Sequence, residues 1–516
     1  MKTKVLIGLS WPYANGRLHI GHVSSSLPAD ALARYHRQIG NDVSFVTGSD
    51  CYGTPILVQA GKEGISPEEL ANKYHVFHAH DFKSLGFTFD NYDKTLSQRH
   101  HDFVKQFHTE MYAGDYIYEK TEPRLYCDKC QKFLPDRYVV GLCPHCKKPA
   151  KGDSCDYCSN MLEPEELLEP QCSLCTGVPT PKDQTQMYIK LSAMQEKIQA
   201  FLNERKDSWT PNAAGLTQRY LNEGLQDRAI TRSMPWGIDI PRQGWDDRKI
   251  YIWAENVLGY LSASEPGFII NDGTPKLHYY IHGKDNIPFH GVILPGLLIA
   301  NGEKYHMPDI IAASEYVMIN GEKLSKSKGN YIEAHLLHEN FDIDMVRYYF
   351  LRTVSEKRDM NFTVEEFVNV INSELVNGFG NLVNRTLSFI KTKFDGKKPQ
   401  IKMCEKEVRD IIHESGVQWS KNMDAGKVST SVSSAMTLVD FGNKYFADKK
   451  PWVDLSKEVI GNVIEIIRNS AVMLAPFIPT ACAKVLSWLS HETLPDIEVL
   501  WQRLDMNTTK EIFKNG

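Results

Sequence analysis

Four Cys-x-x-Cys pairs lie close together in the chain and constrain its fold more than any other feature. Eight of the eleven cysteines fall between residues 127 and 175, as Cys127/Cys130, Cys143/Cys146, Cys155/Cys158 and Cys172/Cys175. In a reducing compartment, this clustering indicates metal binding rather than disulfide bonds. Eight thiolates make two tetrahedral zinc sites, and four cysteines per ion leave no open position for water. We therefore predict two structural zinc sites, formed either by sequential pairs or by the middle two pairs nested inside the outer two.

The segments on either side of the cysteines have α/β character. Residues 4–9 (KVLIGL) and 42–48 (DVSFVTG) are apolar runs typical of strands, and LPADALARYHRQIG between them predicts a helix ending at Gly40. This order indicates a parallel α/β unit. Similar character returns in residues 249–261, 277–285 and 309–321. The chain is thus predicted to begin a sheet, leave it for an insertion starting near residue 117, and resume it.

After residue 360 the pattern becomes helical. Thr363 to Glu366 (TVEE) predict a capping box, and apolar residues follow at three- and four-residue steps as far as Ile390. Ser456 is predicted to cap another helix, which Pro476 and Pro479 interrupt. The C-terminal part of the chain is therefore predicted to be an all-α bundle.

Charge and hydropathy exclude some classes of function. A net charge of −5 argues against a protein that binds nucleic acid by bulk positive charge, although a local basic groove stays possible. No apolar run approaches the roughly 18 residues of a membrane helix, and the N-terminal apolar run is too short for a signal peptide. We expect a cytoplasmic protein that does not bind a membrane.

Two polar motifs have the chemistry to bind phosphate. LHIGHV follows the first predicted strand, where a helix N-terminus attracts anions and where His19 and His22 can donate hydrogen bonds. GEKLSKSKGN contains Lys323 and Lys326, which can neutralise a polyphosphate. Taken singly, the first motif is equally an ordinary turn and the second a solvated loop. On the two halves of an interrupted sheet, they suggest a nucleotide triphosphate held between them.

HIGH followed about 300 residues later by KLSKS resembles the two signatures of class I aminoacyl-tRNA synthetases. The second motif departs from K-M-S-K-S by one leucine, which conserves volume. SWPYANGRLHIGH, GSDCYGTP, IYIWAENVLGY and GKDNIPFH further resemble the methionyl family, and the resemblance extends from residue 4 to about residue 480. It implies an α/β fold, in which a Rossmann-type parallel-sheet catalytic domain is interrupted by a zinc-binding insertion and followed by an all-α helical-bundle anticodon-binding domain.

The resemblance implies five segments. The expected boundaries are 1–116 for the first half of the catalytic domain, 117–230 for a connective-peptide insertion with zinc knuckles, 231–329 for the second half, 330–362 for a stem-contact junction and 363–516 for the anticodon-binding domain.

The implied reaction has two steps. ATP and L-methionine give methionyl-adenylate and pyrophosphate, and the methionyl group then moves to the 3′ end of tRNA(Met), including the initiator tRNA. His19, His22, Lys323 and Lys326 are expected to act on the phosphates, with Mg²⁺ accompanying ATP. The expected ATP-binding residues are Asn15, Gly21, Gly283, Asp285, Ser325 and Ser327.

A thioether needs an apolar, polarisable pocket, and aromatic rings contact sulfur favourably. The resemblance implies a pocket of Trp11, Tyr13, Asp50, Trp253, Val257, Tyr260, Phe289 and His290, with Asp50 on the substrate's α-amino group. Taken singly, each aromatic residue is more often part of a core. The chain has Glu255-Asn256-Val257 where many relatives have Asp-Ala-Pro, so the pocket wall is expected to differ in shape. Homocysteine lacks one methyl group of methionine, and a pocket gains only about 1–3 kcal/mol of discrimination from such a difference. The resemblance implies that homocysteine is removed by cyclisation in the synthetic site.

The resemblance also bears on the cysteines and on tRNA. Some relatives keep only the middle two pairs, which favours nesting, and the module is expected to guide the tRNA acceptor end.

The residues expected to face the CAU anticodon are Asn381, Arg385, Pro451 and Trp452. The alternative is that Trp452 packs inside the helical bundle as a structural aromatic residue. Many relatives carry a further dimerising C-terminal domain that this sequence does not match, so we expect a monomer.

Three other functions stay open on sequence alone. The first is a class I synthetase for another amino acid, such as cysteine, valine or leucine. The second is a zinc-ribbon RNA-binding protein without chemistry, which leaves the lysine-rich loop unexplained. The third is a small-molecule adenylyltransferase, which leaves the helical half without a purpose. Methionine-dependent exchange of pyrophosphate into ATP distinguishes among them.

Overall fold

The computed structural model describes residues 2–155, 157–158, 160–324 and 329–515. Its strands are β1 (Lys4–Leu9), β2 (Asp42–Ser49), β3 (Asn91–Lys94), β4 (Ile117–Cys127), β5 (Lys132–Phe133), β6 (Val139–Leu142), β7 (Pro149–Lys151), β8 (Leu168–Cys172), β9 (Thr180–Ile189), β10 (Arg228–Ala229), β11 (Thr231–Arg232), β12 (Lys249–Ile250), β13 (Lys276–Gly283), β14 (Ile310–Ser314), β15 (Val317–Ile319), β16 (Glu322–Lys323) and β17 (Met360–Phe362).

The α-helices are α1 (Ile20–Gln38), α2 (Thr54–Glu63), α3 (Pro67–Ser84), α4 (Gln98–Tyr112), α5 (Leu191–Arg205), α6 (Pro211–Glu223), α7 (Ile252–Glu255), α8 (Gly259–Ser262), α9 (Pro266–Ile269), α10 (Leu294–Ala300), α11 (Ala334–Asn340), α12 (Ile343–Thr353), α13 (Val364–Val370), α14 (Asn381–Lys393), α15 (Lys406–Asp424), α16 (Val428–Lys449), α17 (Pro451–Asp454), α18 (Lys457–Leu474), α19 (Pro479–Ser490) and α20 (Met506–Asn515). Short 3-10 turns span Asp136–Tyr138, Pro164–Glu166, Lys206–Ser208, Asn256–Leu258 and Lys284–Asn286, and π-helical turns span Phe289–Ile293 and Ile371–Gly380.

The chain forms two compact units, each built from separated segments. The first comprises Met1–Arg17, Asn41–His80 and Phe89–Ala313. The second comprises Leu18–Gly40, Asp81–Thr88 and Ser314–Gly516. No helix among the described residues combines the length and the apolar character needed to cross a membrane.

A five-stranded sheet in the order β14-β13-β1-β2-β3 organises the first unit. β1 pairs in parallel with β13 and with β2, and β2 pairs in parallel with β3. Val5 to Leu9 of the central strand are all buried, as expected for a parallel strand covered on both faces. Because β1 and β2 precede the cysteines and β13 and β14 follow them, the prediction of an interrupted parallel sheet is confirmed.

Within the first unit, one antiparallel ribbon carries the chain into and out of the cysteine-rich insertion. β4 and β9 pair along ten positions, from Ile117 opposite Ile189 to Tyr126 opposite Thr180. The entry and exit of the insertion therefore lie side by side, which lets the sheet tolerate it. A small three-stranded sheet in the order β7-β6-β8 lies between these two long strands in sequence.

The second unit is mainly helical, as predicted. Ser456 caps α18 by accepting a hydrogen bond from the Val459 N–H, and the helix ends at Leu474 before the two prolines. Thr363 caps α13 by accepting from the Glu366 N–H, whereas the Glu366 carboxylate accepts from the Tyr349 hydroxyl. The helix predicted to end at Gly40 begins at Ile20, earlier than the apolar pattern suggests, because His19 caps it.

A buried ion pair joins α1 to α12 inside the second unit. The Arg347 guanidinium lies 2.6 Å from the Asp30 carboxylate, and neither side chain is exposed to solvent. Arg347 also donates to the carbonyls of Leu85, Pro476 and Phe477. Burial raises the pKa of Asp30, but the charges of Arg347 and Arg34, together with hydrogen bonds from Arg34 and Thr88, hold the pKa below its ordinary value. The helix that carries the HIGH motif is therefore anchored by a charge-assisted network.

Candidate active site

The HIGH motif forms a reciprocal cap at the N-terminus of α1. His19 is the cap residue, and its Nδ1 accepts from the Gly21 N–H at 3.1 Å. In return, the His19 N–H donates to Nδ1 of His22 at 3.2 Å. The two rings are stacked with their centroids 3.8 Å apart. Two imidazoles thus do locally what a Ser and a Glu do in an ordinary capping box.

This cap determines which nitrogen of each imidazole bears hydrogen. A neutral imidazole has one acceptor and one donor nitrogen, and both Nδ1 atoms already accept. Nε2 is therefore the N–H donor of each ring while that ring is neutral. Burial lowers the pKa of His19 to about 4, so this ring is uncharged at neutral pH.

Gly21 is part of this cap. Its N–H is bonded to His19, and a Cβ at this position would lie 2.8 Å from the His19 ring. The Ile20 N–H donates to the Ile332 carbonyl. The cap therefore needs a residue without a side chain at position 21, and the Gly21 and Ile20 N–H groups already have partners within the protein.

The segment after the KLSKS motif is bonded directly to the HIGH turn. The Ile20 and Ala334 N–H groups donate to the carbonyls of Ile332 and Leu18, respectively. The Tyr331 ring contacts His19 edge-on, with centroids 5.2 Å apart. Within the second unit, the C-terminal end of the lysine-rich loop therefore lies beside the two histidines.

The first part of the lysine-rich loop is also described. Lys323 ends β16, is exposed, and lies with its ammonium 5.5 Å from the ring centre of Tyr316. The Asn330 amide donates to the carbonyls of Glu322 and Lys323, which closes the base of the loop. Ser325, Lys326 and Ser327 lie outside the described residues. Sequence reasoning gave no role to Asn330, the last residue of GEKLSKSKGN, or to Tyr331, which follows it.

In the first unit, predicted substrate residues gather at one edge of the sheet. Asn15, Asp50 and Gly283 follow or end the adjacent strands β1, β2 and β13, whose carboxyl ends share one edge because they are parallel. Asp285 is exposed in the turn after β13. Ligands of open α/β sheets bind at this edge.

An aromatic group occupies part of that edge. Trp253 and Phe289 stack face to face with centroids 3.7 Å apart, and Tyr13 meets Trp253 edge-on at 6.4 Å. Arg137, from the cysteine-rich insertion, lies with its guanidinium 5.7 Å from the Tyr13 ring centre. The structure brings together three predicted pocket residues and adds Arg137, for which the sequence offered no signal.

The other predicted pocket residues, which are Trp11, Val257, Tyr260 and His290, are buried in the first unit. His290 Nδ1 donates to the Asn286 carbonyl, so its Nε2 accepts from the Tyr260 hydroxyl at 2.7 Å. Trp11 packs against Gly259, where a Cβ would lie 2.9 Å from the indole. Val257 is fully buried.

Asp50 is held rigidly and is almost fully buried. Its N–H donates to the Pro12 carbonyl, its C=O accepts from Ala14, and its carboxylate accepts from the Tyr52 N–H at 3.1 Å. Burial raises the pKa of Asp50 well above its ordinary value, and the nearby Glu255 raises it further. A substrate ammonium beside Asp50 would favour the ionised carboxylate.

The eight cysteines form two groups of four thiols. Cys127, Cys130, Cys172 and Cys175 form one group, and Cys143, Cys146, Cys155 and Cys158 form the other. This is the nested arrangement. The closest sulfur pairs are 3.5–3.9 Å apart, too far for disulfides but near the roughly 3.8 Å edge of a tetrahedral site with Zn–S bonds of about 2.3 Å. The donor set and its spacing fit zinc.

Two of the predicted anticodon residues are linked through a residue that the sequence did not single out. The Arg385 guanidinium lies 4.4 Å from the Phe446 ring centre, and the Phe446 and Trp452 rings are 5.9 Å apart. The Trp452 side chain is 51% exposed, so about half of it is buried against the bundle. Asn381 is exposed at the start of α14, and Pro451 is buried at the start of α17.

Comparisons with known proteins agree over most of the chain. A family model described as "tRNA synthetases class I (M)" matches residues 5–387. The chain is 39% identical to "Methionine--tRNA ligase 1" of Alkaliphilus oremlandii (strain OhILAs) over 533 residues, covering 98% of each chain. It is 40% identical to "Methionine--tRNA ligase" of Bacillus cereus (strain B4264) over 529 residues, covering 97% of each. Its fold is similar to that of Mycobacterium tuberculosis methionyl-tRNA synthetase in complex with methionyl-adenylate, with a TM-score of 0.80, 24% identity and coverage of 97% and 99%.

Proposed function

The chain belongs to the methionine–tRNA ligases of the class I aminoacyl-tRNA synthetases, and on this basis we propose which of its residues carry out the two steps of that reaction. ATP and L-methionine first form methionyl-adenylate and pyrophosphate, and the methionyl group then passes to the 3′ end of tRNA. Negative charge develops on the α-phosphate and on the leaving pyrophosphate. Catalysis therefore consists mainly of positioning and electrostatic stabilisation, without a protein nucleophile.

The observation that carries the proposal is the reciprocal cap of His19 and His22. Because backbone N–H groups occupy both Nδ1 atoms, the rings offer Nε2–H groups to phosphate oxygens. A neutral His19 supplies hydrogen bonds and no charge. The positive charge for pyrophosphate then comes from Lys323 and Lys326, and Mg²⁺ accompanies ATP as a proposed partner.

The sheet edge supplies the methionine side of the reaction. Asp50 binds the α-ammonium, while Trp11, Tyr13, Trp253, Val257, Tyr260, Phe289 and His290 surround the thioether side chain. Asp285 holds the ribose of ATP, and Asn15 and Gly283 are further ATP-binding residues. The stacked Trp253 and Phe289 rings supply the polarisable surface that sulfur prefers.

Matched substitutions of His19 test the phosphate role. His19→Asn keeps an acceptor near the position of Nδ1 for the Gly21 N–H but removes the Nε2–H donor. Loss of one such donor is expected to slow adenylate formation by about 10²–10³. Gly21→Ala, whose Cβ would overlap the His19 ring, should impair the same step through the cap.

The assay is methionine-dependent pyrophosphate exchange, with thermal melting as the control for folding. Exchange with cysteine, valine or leucine in place of methionine should stay at background. If His19→Asn exchanges pyrophosphate at the wild-type rate, the proposed donor role is wrong.

We propose that each group of four cysteines holds one structural zinc ion. The ion would fix the loops of the insertion, and its complete thiolate shell leaves no position for chemistry. The Cys130 N–H donates to Cys127 Sγ at 3.4 Å, a hydrogen bond that favours the thiolate form of this proposed ligand. The insertion is proposed to guide the tRNA acceptor end.

The remaining proposals concern the whole molecule. The helical part reads the CAU anticodon of tRNA(Met) through Asn381, Arg385, Pro451 and Trp452. The five-segment division, a monomeric state and a cytoplasmic location stay predictions. Light scattering of the purified protein tests the monomer.

A further inference from the structure

The loop after β2, which carries Asp50, receives a hydrogen bond from a tryptophan in a distant part of the chain. Trp236 lies between β11 and β12, and its indole N–H donates to the Cys51 carbonyl at 2.8 Å. The Trp236 ring also packs against the Tyr52 ring, with the centroids 5.2 Å apart. Trp236 belongs to none of the proposed substrate contacts, so this bond needs an explanation.

The carbonyl that accepts this bond shares a peptide group with the N–H that holds the Asp50 carboxylate. The Cys51 carbonyl and the Tyr52 N–H are the two polar ends of one planar unit. That N–H donates to Oδ1 of Asp50 at 3.1 Å. Two successive hydrogen bonds and one rigid peptide therefore join the Trp236 indole to the Asp50 carboxylate.

The two hydrogen bonds of this peptide support each other. Because the peptide group turns as one plane, a bond that fixes the direction of its carbonyl also fixes the direction of its N–H. Donation to the carbonyl polarises the peptide and strengthens its N–H as a donor, since hydrogen bonds in series are cooperative. Without the indole N–H, the Tyr52 N–H would be a weaker and less directed partner of Asp50.

The main chain of Asp50 is held independently of Trp236. The Asp50 N–H donates to the Pro12 carbonyl, and the Asp50 carbonyl accepts from the Ala14 N–H. These bonds keep the loop beside the end of β1 whether or not the indole donates. Loss of the indole N–H should therefore change the direction of the Asp50 carboxylate more than the position of its backbone.

We propose that Trp236 is a positioning residue for methionine, whose indole N–H fixes the peptide between Cys51 and Tyr52 and thereby directs the Asp50 carboxylate at the α-ammonium of the substrate. This inference rests on the proposed role of Asp50. It predicts an effect on recognition of the ammonium group and not on recognition of the thioether. Because Trp236 does not act on the phosphates, the rate of adenylate formation at saturating methionine should be nearly unchanged.

Two substitutions separate the hydrogen bond of Trp236 from its bulk. Trp236→Phe keeps an aromatic ring but removes the donor, and it should raise the KM for methionine in pyrophosphate exchange by about threefold to tenfold with little change in kcat. Trp236→His can place its Nε2–H where the five-membered ring of the indole carries its N–H. The KM of Trp236→His should therefore stay closer to the wild-type value than that of Trp236→Phe.

Trp209→Phe is the matched control. It also removes an indole N–H that donates to a backbone carbonyl, in this case that of Asp309 at 3.0 Å. Neither Trp209 nor Asp309 is a proposed substrate contact, so the melting temperature should fall and the KM for methionine should stay at the wild-type value.

Competition with substrate analogues identifies the group on which Trp236 acts. Methioninol retains the ammonium and the thioether, and it should inhibit Trp236→Phe more weakly than the wild type by the same factor as the change in KM. Its deamino analogue, 4-(methylthio)butan-1-ol, lacks only the ammonium and should inhibit both proteins equally. Equal weakening of both analogues would show that Trp236 packs the pocket as a whole and would overturn the inference.

Thermal melting accompanies each kinetic measurement. If Trp236→Phe does not fold, benzothienylalanine incorporated at position 236 replaces it, because this side chain has the shape of tryptophan without the N–H donor. An unchanged KM in the variant that lacks the donor overturns the inference. So does a KM for Trp236→His that rises as much as that for Trp236→Phe.

Asp50→Asn separates failure of this inference from failure of the proposed function. If Asp50→Asn weakens inhibition by methioninol and Trp236→Phe does not, the inference alone is wrong. If Asp50→Asn leaves inhibition by methioninol unchanged, the proposed role of Asp50 is wrong and the inference falls with it.

Discussion

Trp452→Ala should separate tRNA charging from amino acid activation. Trp452 is half exposed beside Phe446, and Arg385 lies over the same phenylalanine ring, so the three side chains form a platform on which an extruded base can stack. Loss of one aromatic platform costs about 1–3 kcal/mol per base. At 1.4 kcal/mol per decade, this corresponds to roughly 5-fold to 140-fold slower charging of tRNA.

The effect on stability should be smaller than for a buried tryptophan. Complete removal of a buried Trp or Phe costs about 3–5 kcal/mol, and a side chain that is 51% exposed loses only part of that, about 2 kcal/mol. Trp488 in α19 is 8% exposed and serves as the matched control. Trp488→Phe should lower the melting temperature and leave charging per folded molecule unchanged, whereas Trp452→Phe should keep most of the charging.

Charging, pyrophosphate exchange and thermal melting are measured on one preparation of each variant. We expect Trp452→Ala to exchange pyrophosphate at nearly the wild-type rate and to charge tRNA at least about fivefold more slowly, by the lower stacking energy. Unchanged charging together with a large fall in melting temperature would show that Trp452 is structural and would refute the anticodon role.

Four other substitutions test three separate parts of the structure. Metal analysis should find two zinc ions per chain, of which Cys143→Ser loses one and Cys127→Ser the other; loss of both from either variant contradicts independent sites. Lys326→Ala should leave methionine binding nearly intact and slow adenylate formation severely in pre-steady-state kinetics, because its charge is needed as pyrophosphate leaves. Asp30→Asn leaves a buried arginine unpaired and should lower the free energy of unfolding at pH 7 by about 3–5 kcal/mol. The pKa of Asp30 is lower in the folded state than its unfolded value of about 3.9. The stability that Asp30 contributes is therefore present above the unfolded pKa and is lost as the pH falls through the folded pKa. In urea unfolding, the free energy of unfolding of Asp30→Asn should accordingly fall less steeply with decreasing acid pH than that of the wild type.

Features encoded by neighbouring residues could be predicted from the sequence. Apolar runs such as residues 4–9 identified strands, and the helix that starts after Ser456 and stops before Pro476 was predicted at both ends. The spacing of the cysteines predicted clustered thiols suited to a metal ion without any knowledge of the fold. In each case, the physical cause acts within one turn or one strand, so the order of residue types is sufficient information.

The pairing of the cysteines was a choice between arrangements that sequence alone left open. The β4–β9 ribbon brings Cys127, at the end of β4, towards Cys172 and Cys175, which precede β9. Pairing of strands separated by more than fifty residues depends on the whole module, which is why spacing could not decide it.

The chemistry of the site also depended on tertiary contacts. HIGH was recognisable as a motif, but which nitrogen of each histidine bears hydrogen follows from the cap geometry and the burial of α1. Trp236 and Cys51 are 185 positions apart, and nothing in either local sequence indicates their contact. Protonation states and hydrogen-bond directions depend on desolvation and on partners from distant segments, so residue types were determined by sequence and their chemical states only by packing.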